Sequence, residues 1–142
     1  MHEQILIASM GLIWLLKIIV LFRMFIVRFN AIKRGEVRVS VFRTYEKEHE
    51  LSSKLVQASR NYSNLYEAPS LFYAISLLII VLGLGDTLTS SLAVVFALSR
   101  YIHSYIHLGR NNIVHRMYVF GLGILSIHAM WIYSLGKYFL QI

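Results

Sequence analysis

Four long apolar runs constrain the fold of this chain more than any other feature. They cover about residues 5–29, 65–84, 88–108 and 113–139. A helix of about 20 residues crosses the roughly 30 Å hydrocarbon core of a bilayer. Because lipid offers the backbone no hydrogen-bond partners, runs of this kind form helices. The sequence therefore predicts an all-α integral membrane protein, folded as an antiparallel four-helix bundle in one domain over residues 1–142.

The amino-acid composition supports this class. Of the 142 residues, 57% are hydrophobic and only 15% are charged, whereas a soluble domain carries about 25% charged residues. There is no cysteine, which excludes disulfides, thiolate nucleophiles and cysteine-ligated metals. The first run is too long for a removable signal peptide and lacks a small-residue cleavage site, so we expect a permanent span.

The distribution of positive charge predicts the orientation. The connection over residues 30–59 is basic, and the turn at residues 109–112 adds Arg110, whereas the turn at residues 85–87 has no Lys or Arg. The positive-inside rule then places both basic connections in the cytoplasm and both termini on the opposite side. We expect the basic connection to contact phospholipid headgroups rather than nucleic acid.

The start of the second run carries charge into the apolar segment. At about 100° per residue, Arg60, Asn64 and Glu67 fall within roughly 40° of one another on a helix. A carboxylate just inside an apolar span is costly unless a partner pairs with it. Pro69 follows, and its kink either opens room for a ligand beside this stripe or is a tolerated packing feature.

The third run ends with a second polar stripe, made of Arg100, His103 and His107. Two histidines four residues apart could ligate a metal, but a local third ligand is missing, so no metal site is predicted. Both stripes fall in the cytoplasmic third of their helices and should converge between helices. A cation-rich cluster with one carboxylate and one amide suits a small anionic ligand that also carries an ammonium group; a self-satisfied polar network is the alternative.

The fourth run has Arg116 in its first turn and His128 near its middle. We expect Arg116 to join the polar cluster and His128 to have a packing or hydrogen-bonding role. Gly121 and Gly123 predict close contact with a neighbouring helix.

Two cations interrupt the first run, Lys17 near its middle and Arg23 nearer its end. Lys17 could pair with Glu67 or with a backbone carbonyl, and the sequence does not choose between them. Arg23 either extends to the nearer interface or has a buried partner.

These motifs resemble those of the membrane-associated proteins in eicosanoid and glutathione metabolism (MAPEG). The resemblance lies in Arg60-x3-Asn64-x2-Glu67 with the following Pro69 and Phe72, in Arg100-x2-His103-x3-His107, and in Arg116 opening the last helix. It covers essentially the whole chain. The Glu-x-Pro-x-Leu-Phe and Arg-x2-His-Ser-x2-His-Leu patterns are most similar to those of bacterial members, many of which have no assigned reaction.

The resemblance implies a homotrimer that holds glutathione in a U-shaped pose between neighbouring subunits, near the cytoplasmic face. Glu67 would meet the amino group of the tripeptide, and Arg116 would stabilise the thiolate. The other implied glutathione-binding residues are Arg28 (with Arg34 as the fallback for a carboxylate), Arg60, Asn64, Arg100 and His103. At His107 the better-known synthases carry a tyrosine; an imidazole could donate a similar hydrogen bond or act as a base.

The leading prediction is therefore a membrane glutathione transferase or peroxidase. Glutathione would enter from the cytoplasm, and a lipophilic electrophile or lipid hydroperoxide would arrive through the bilayer, here a bacterial inner membrane. One alternative is a non-catalytic lipid-binding or scaffolding protein of the same fold. Another is a small transporter with a polar path through Lys17, Arg23 and His128.

Overall fold

The computed structural model describes residues 1–44 and 51–140. Regular structure in these residues is helical. The helices are α1 (His2–Lys33), α2 (Val41–Thr44), α3 (Ser53–Val81), α4 (Thr87–Leu108) and α5 (Ile113–Leu140). Each of the four apolar runs lies largely within one long helix. The predicted all-α class is thus confirmed.

The polar connection differs from the prediction in one respect. Because no helix breaker occurs between Phe42 and Pro69, the sequence predicts a single helix that extends from Phe42 into the second span. The structure instead has a separate short α2, and α3 begins at Ser53 with Ser52 at its N-cap. Glu46, Lys47, Glu48 and Glu50, which belong to the basic connection, lie outside the described residues.

Helix α4 packs against all three other long helices, most extensively against α5. Its inward face carries small and polar residues together with Phe96, which stacks on Phe72 of α3 with ring centroids 4.4 Å apart. Around this pair lies the main core, to which all four long helices contribute: Leu6, Ile13, Ala68, Ile75, Ile79, Ala93, Ala97, Ile127 and Met130.

Three of the long helices, α1, α3 and α5, are long and apolar enough to cross a membrane. Many large apolar side chains on these helices are exposed on the outside of the bundle, among them Phe22, Leu77 and Leu125. In water such a surface would be unfavourable, and in a bilayer it faces lipid. The fourth predicted span, α4, is not among these three helices, because its sequence contains an arginine, two histidines and several serines, most of which are buried in the bundle.

A tight turn and a charged clamp close the end of the bundle where α3 meets α4. Gly83 has a φ of +65°, which L side chains rarely adopt, and Leu84 N–H donates to the carbonyl of Ile79. Asp86 caps α4 through a capping box with Thr89. The carboxylate also accepts from Lys137 Nζ at 2.8 Å, which ties the end of α5 to this turn.

The Asp86 carboxylate has an unusual acidity as a result. Burial alone would raise its pKa, but the hydrogen bonds from Lys137, from the backbone and hydroxyl of Thr89 and from the Tyr133 hydroxyl together hold the pKa well below its usual range. The clamp is therefore ionised throughout the physiological pH range.

Candidate functional site

A polar cleft of about 910 Å³ lies at the opposite end of the bundle, where α3 begins, α4 ends and α5 begins. Its walls combine cations, amides and one carboxylate with a few apolar side chains. The lining residues are Leu51, Ser53, Val56, Gln57, Arg60, Ser63, Asn64, Glu67, His107, Asn111, Ile113 and Arg116.

The polar stripe of α3 forms one wall of this cleft. Arg60, Asn64 and Glu67 all line it, as their helical spacing predicts. Glu67 is exposed on the protomer surface, and Asn64 is half-buried. The carboxylate therefore faces the open side of the cleft, where a ligand or another subunit can reach it.

The facing wall comes from the end of α4 and the start of α5. His107 is buried, with only 3% of its surface exposed, yet it still contributes to the lining. Arg116 donates from Nη1 to the Asn111 side-chain carbonyl at 2.7 Å. Asn111 itself has a φ of 51°, a conformation that asparagine tolerates better than most residues. The turn between α4 and α5 thus anchors the guanidinium of Arg116 at the cleft.

Arg100 and His103 lie deeper in the bundle and do not line this cleft within the protomer. Arg100 is 1% exposed; its Nη2 donates to the carbonyl of Phe120 at 3.0 Å and its Nε to Ser99 Oγ at 3.4 Å. The rings of Phe96 and Phe120 flank its guanidinium, with centroids 5.3 and 4.8 Å from Cζ. Within the described residues no carboxylate forms an ion pair with it. The helical spacing predicted which face of α4 carries Arg100, but not that Arg100 is buried in the core.

His103 connects the buried arginine to the cleft. Its ring lies 5.7 Å from that of His107 and 5.6 Å from that of Phe120, measured between centroids. The third-helix stripe is therefore a single row that begins at the cleft with His107 and ends in the core with Arg100.

Arg28 belongs to α1 and contacts α3 on a face other than the one that lines the cleft. Its Nη2 donates to Ser59 Oγ at 3.0 Å, and its guanidinium lies 5.1 Å from the ring centroid of Phe42. Ser59 is about 100° around α3 from the cleft-lining Arg60. The fallback residue, Arg34, forms an exposed ion pair with Glu36 at 3.5 Å. Neither arginine lines the cleft of its own protomer.

The cations of α1 do not join the cluster. Lys17 Nζ lies over the rings of Tyr66 and Tyr73, 4.6 and 4.8 Å from their centroids, rather than in an ion pair with Glu67. Arg23 is exposed on the protomer surface, about 120° around α1 from Lys17.

The remaining residues of interest on α5 have structural contacts. His128 is exposed and its Nδ1 bonds to the Ile124 carbonyl of its own helix at 2.8 Å, in agreement with a hydrogen-bonding role. Gly123 makes the predicted close contact with α4, but Gly121 does not, since a Cβ there would meet nothing within 4 Å.

The sequence analysis did not identify several polar residues at or beside the cleft, among them Gln57, Asn111 and Asn61. Gln57 precedes Arg60 by three residues and extends the same stripe by one turn, so its spacing could have identified it. Asn111 lies in the turn that was treated only as a connection. Asn61, which accepts a hydrogen bond from Ser104 Oγ at 3.2 Å, lies on the face of α3 toward α4, and its sequence position gives no sign of this.

Long helices with apolar outer faces, closed at one end by a charge clamp and holding a charged cleft at the other, define a helical integral membrane protein with a polar site near one membrane face. The chain belongs to the MAPEG family, whose model matches residues 6–136. This confirms the resemblance drawn from the motifs. No curated protein and no solved structure gives a significant match.

Proposed function

We propose that this protein is a membrane-bound glutathione-dependent enzyme, of transferase or peroxidase type, that acts on a lipophilic electrophile or lipid hydroperoxide. The observation that carries the proposal is the convergence of Arg60, Asn64, Glu67, His107 and Arg116 on one cleft, in a chain of a family associated with glutathione and eicosanoid metabolism. Helical spacing puts the first three on one face of α3, and the tertiary fold brings His107 and Arg116 to the same cleft.

The chemistry of the cleft fits glutathione. This tripeptide carries two carboxylates, one ammonium group and one thiol. The cleft offers two guanidinium groups from Arg60 and Arg116, one carboxylate from Glu67 and an amide from Asn64. Its volume of about 910 Å³ lies within the range of small-molecule sites, which is roughly 300–1,000 Å³. Arg60 can therefore pair with one carboxylate and Glu67 with the ammonium group, which leaves Arg116 for the thiol.

Arg116 has the position and the chemistry to activate the thiol. A fixed guanidinium favours the thiolate over the thiol, and the thiolate is the nucleophile. In a transfer reaction the sulfur forms a bond to an electrophilic carbon, the bond to the leaving group breaks, and the thiol proton leaves with that group. In a peroxidase reaction two thiols and one hydroperoxide give a disulfide, an alcohol and water. His107, buried beside the cleft, would accept and return the proton.

Assembly as a homotrimer would complete the site. Glu67 is exposed on the protomer, and the cleft is open on its side. Arg28, which the protomer holds against Ser59 on another side of α3, would then face the cleft of a neighbouring subunit and hold a glutathione carboxylate. Arg100 and His103 would support the wall behind His107 from within the core.

The proposed location is a bacterial inner membrane, with all four long helices crossing it and the cleft near the cytoplasmic face. The end that carries the cleft also carries most of the basic residues, among them Lys33, Arg34, Arg38, Lys54 and Arg110. At the other end Lys137 is paired with Asp86. This asymmetry supports both termini on the non-cytoplasmic side.

The test measures glutathione binding in detergent through the change in the thermal unfolding temperature of the protein. Millimolar glutathione should raise the Tm of the wild type, and Glu67→Gln and Arg116→Ala should abolish the rise. Glu36→Gln, which neutralises an exposed carboxylate outside the cleft, and Arg23→Ala are the matched controls and should leave it intact.

Two outcomes would contradict the proposal at different levels. If millimolar glutathione has no effect on the wild type, the glutathione site is wrong. If glutathione binds but neither conjugation nor peroxide reduction occurs across a broad panel of lipophilic electrophiles and hydroperoxides, the enzymatic role is wrong. The protein is then a non-catalytic lipid-binding member of the fold.

A further inference from the structure

Lys17 carries a charge at the middle of α1 (His2–Lys33), a helix that is apolar enough to cross a membrane. Its Nζ lies over the rings of Tyr66 and Tyr73 of α3, 4.6 and 4.8 Å from their centroids. Among residues 1–44 and 51–140 this ammonium group has no ion pair and no hydrogen-bond acceptor. An ammonium group has three N–H donors. The aromatic rings therefore compensate part of the charge but satisfy none of these donors.

The surrounding tyrosines hold the ammonium group in place and add a further donor. The Tyr73 hydroxyl donates to the carbonyl of Met10 at 3.1 Å, which joins α3 to α1 two turns before Lys17. The hydroxyls of Tyr62 and Tyr66 lie 2.8 Å apart, so one of them donates to the other. The O–H group of the second phenol then has no acceptor in the part of the chain that the structure describes. The site thus presents a cation and a hydroxyl donor side by side.

This site opens on the outer surface of the bundle, which faces lipid. Tyr66 is 52% exposed, and Lys17 is half-buried. Trp14, one turn before Lys17 on the same face of α1, is 61% exposed. None of these residues lines the polar cleft. A molecule dissolved in the bilayer can therefore reach the ammonium group along an apolar and aromatic surface, without entering the cleft.

The chemistry of the site selects a negatively charged oxygen group on an apolar chain. A cation within hydrocarbon is costly unless it is paired, and charge-assisted hydrogen bonds to a carboxylate are among the strongest in proteins. The phosphates of phospholipids stay at the membrane surface, roughly 15 Å from the middle of a span. The small headgroup of a long-chain carboxylic acid can reach this depth, because the ammonium group neutralises its charge there.

We infer that Lys17, together with Tyr66 and Tyr73, forms a binding site for a long-chain carboxylate on the lipid-facing side of α1 and α3. The ammonium group pairs with the carboxylate, and the free phenol of the Tyr62 and Tyr66 pair donates to it. The apolar chain lies along the outer surface beside Trp14. The inference goes beyond the proposed function and does not require glutathione, since no cleft residue takes part.

The test uses Trp14 as a local reporter, because bromine quenches tryptophan fluorescence only at close range. The chain has two tryptophans, so Trp131→Phe leaves Trp14 as the only one. Dibrominated stearic acid and its methyl ester, which share a chain but differ in charge, are titrated into the full chain in nanodiscs of unbrominated lipid. The ionised acid should quench Trp14 at a concentration about tenfold or more below that of the ester, the value of a charge-assisted hydrogen bond.

Three variants assign this preference to the site. Lys17→Met keeps the length of the side chain but removes the charge, and should bring the acid and the ester to within about twofold of each other. Arg23→Met is the matched control, because it removes an exposed cation from the same helix, and should leave the preference unchanged. Trp14→Phe leaves Trp131 as the reporter, which should not distinguish the acid from the ester. If Trp131→Phe does not fold, the wild type and Lys17→Met are compared directly, since Trp131 contributes equally to both.

Several results would overturn the inference. Equal quenching of Trp14 by acid and ester, a preference that persists in Lys17→Met, or the same preference at Trp131 refutes the carboxylate site. The other possible occupant is a carboxylate of a neighbouring subunit. If Lys17→Met lowers the mass of the assembly in light scattering and Arg23→Met does not, Lys17 pairs with a second copy of the chain and the inference is wrong. Glutathione is absent from these measurements, so their outcome is distinct from failure of the proposed function.

Discussion

Replacement of Gly123 by alanine tests how α5 packs on the buried arginine of α4. A Cβ at Gly123 would lie 2.5 Å from Arg100 Nη2 and 3.1 Å from Arg100 Cζ, and it would also collide with Ser99 Oγ. A long side chain at the surface would simply move aside. Arg100 cannot do so, because it is 1% exposed and held between the rings of Phe96 and Phe120.

The expected cost follows from these contacts. Overpacking of a filled core costs about 1–3 kcal/mol. Displacement of the guanidinium weakens its hydrogen bond to the Phe120 carbonyl, and a hydrogen bond of a charged group is worth about 1.5–3 kcal/mol. Alanine gains about 1 kcal/mol over glycine in helix propensity. Gly123→Ala should therefore lower the free energy of unfolding by about 1.5–5 kcal/mol.

Gly121→Ala is the matched control on the same helix. Nothing lies within 4 Å of a Cβ at this position, so only the propensity gain of about 0.5–1 kcal/mol remains, and the variant should be slightly more stable than the wild type. The assay is thermal unfolding in one detergent, followed by circular dichroism. If Gly123→Ala unfolds at the same temperature as Gly121→Ala, the close packing described for Arg100 is wrong.

A double-mutant cycle identifies the partner. In an Arg100→Met background the long side chain is uncharged and has no hydrogen bond to the Phe120 carbonyl, so Gly123→Ala should cost about 1–3 kcal/mol less than in the wild type. A cost that does not change would assign the clash to Ser99 rather than to Arg100.

Three further predictions concern other parts of the chain. Asp86→Asn keeps the N-cap but loses the charge paired with Lys137. Because the pKa of Asp86 is lower in the folded state, the wild-type Tm should fall as the pH drops below about 4, the pKa in the unfolded state. If the Tm of Asp86→Asn has the same pH dependence, the ion pair between Asp86 and Lys137 does not stabilise the fold. Lys17→Met should change stability by less than about 1 kcal/mol, because the cost of a charge within an apolar span and the gain from two aromatic rings nearly balance; a large loss of Tm would reveal a stronger partner. Asn111→Gly keeps the positive φ but frees Arg116, and should weaken glutathione binding about two- to tenfold with little change in Tm; unchanged affinity would show that the anchor is dispensable.

Apolar length and helical spacing were sufficient to predict the helical class and the stripe of Arg60, Asn64 and Glu67. Both depend on properties local to one helix, namely hydrophobic run length and the 100° step per residue. The placement of His107 and Arg116 at the same cleft followed from counting residues from a common membrane face. The structure brings these five residues together at one end of the bundle.

The burial depth of a side chain and the rotation of one helix against another could not be predicted, because both depend on how side chains of different helices fit together. The stripe of α4 places Arg100 in the core because Gly123 allows α5 to approach it, and the sequence does not distinguish Gly123 from Gly121. Asn61 was missed for the same reason, since its partner Ser104 comes from another helix. The contact of Arg28 with Ser59 likewise depends on how α1 packs against α3.

The inward polar face of α4 has a consequence for how the chain enters the membrane. On its own, α4 would present Arg100 and two imidazoles to lipid, at a cost of several kcal/mol. Its shelter comes from the flanking helices, and the carbonyl of Phe120 that accepts from Arg100 belongs to α5, which follows it in synthesis. If α4 crosses the bilayer as the sequence predicts, we therefore expect it to insert together with α5 as a helical hairpin, and a nascent chain released after Leu108 would lack the partner that Arg100 needs.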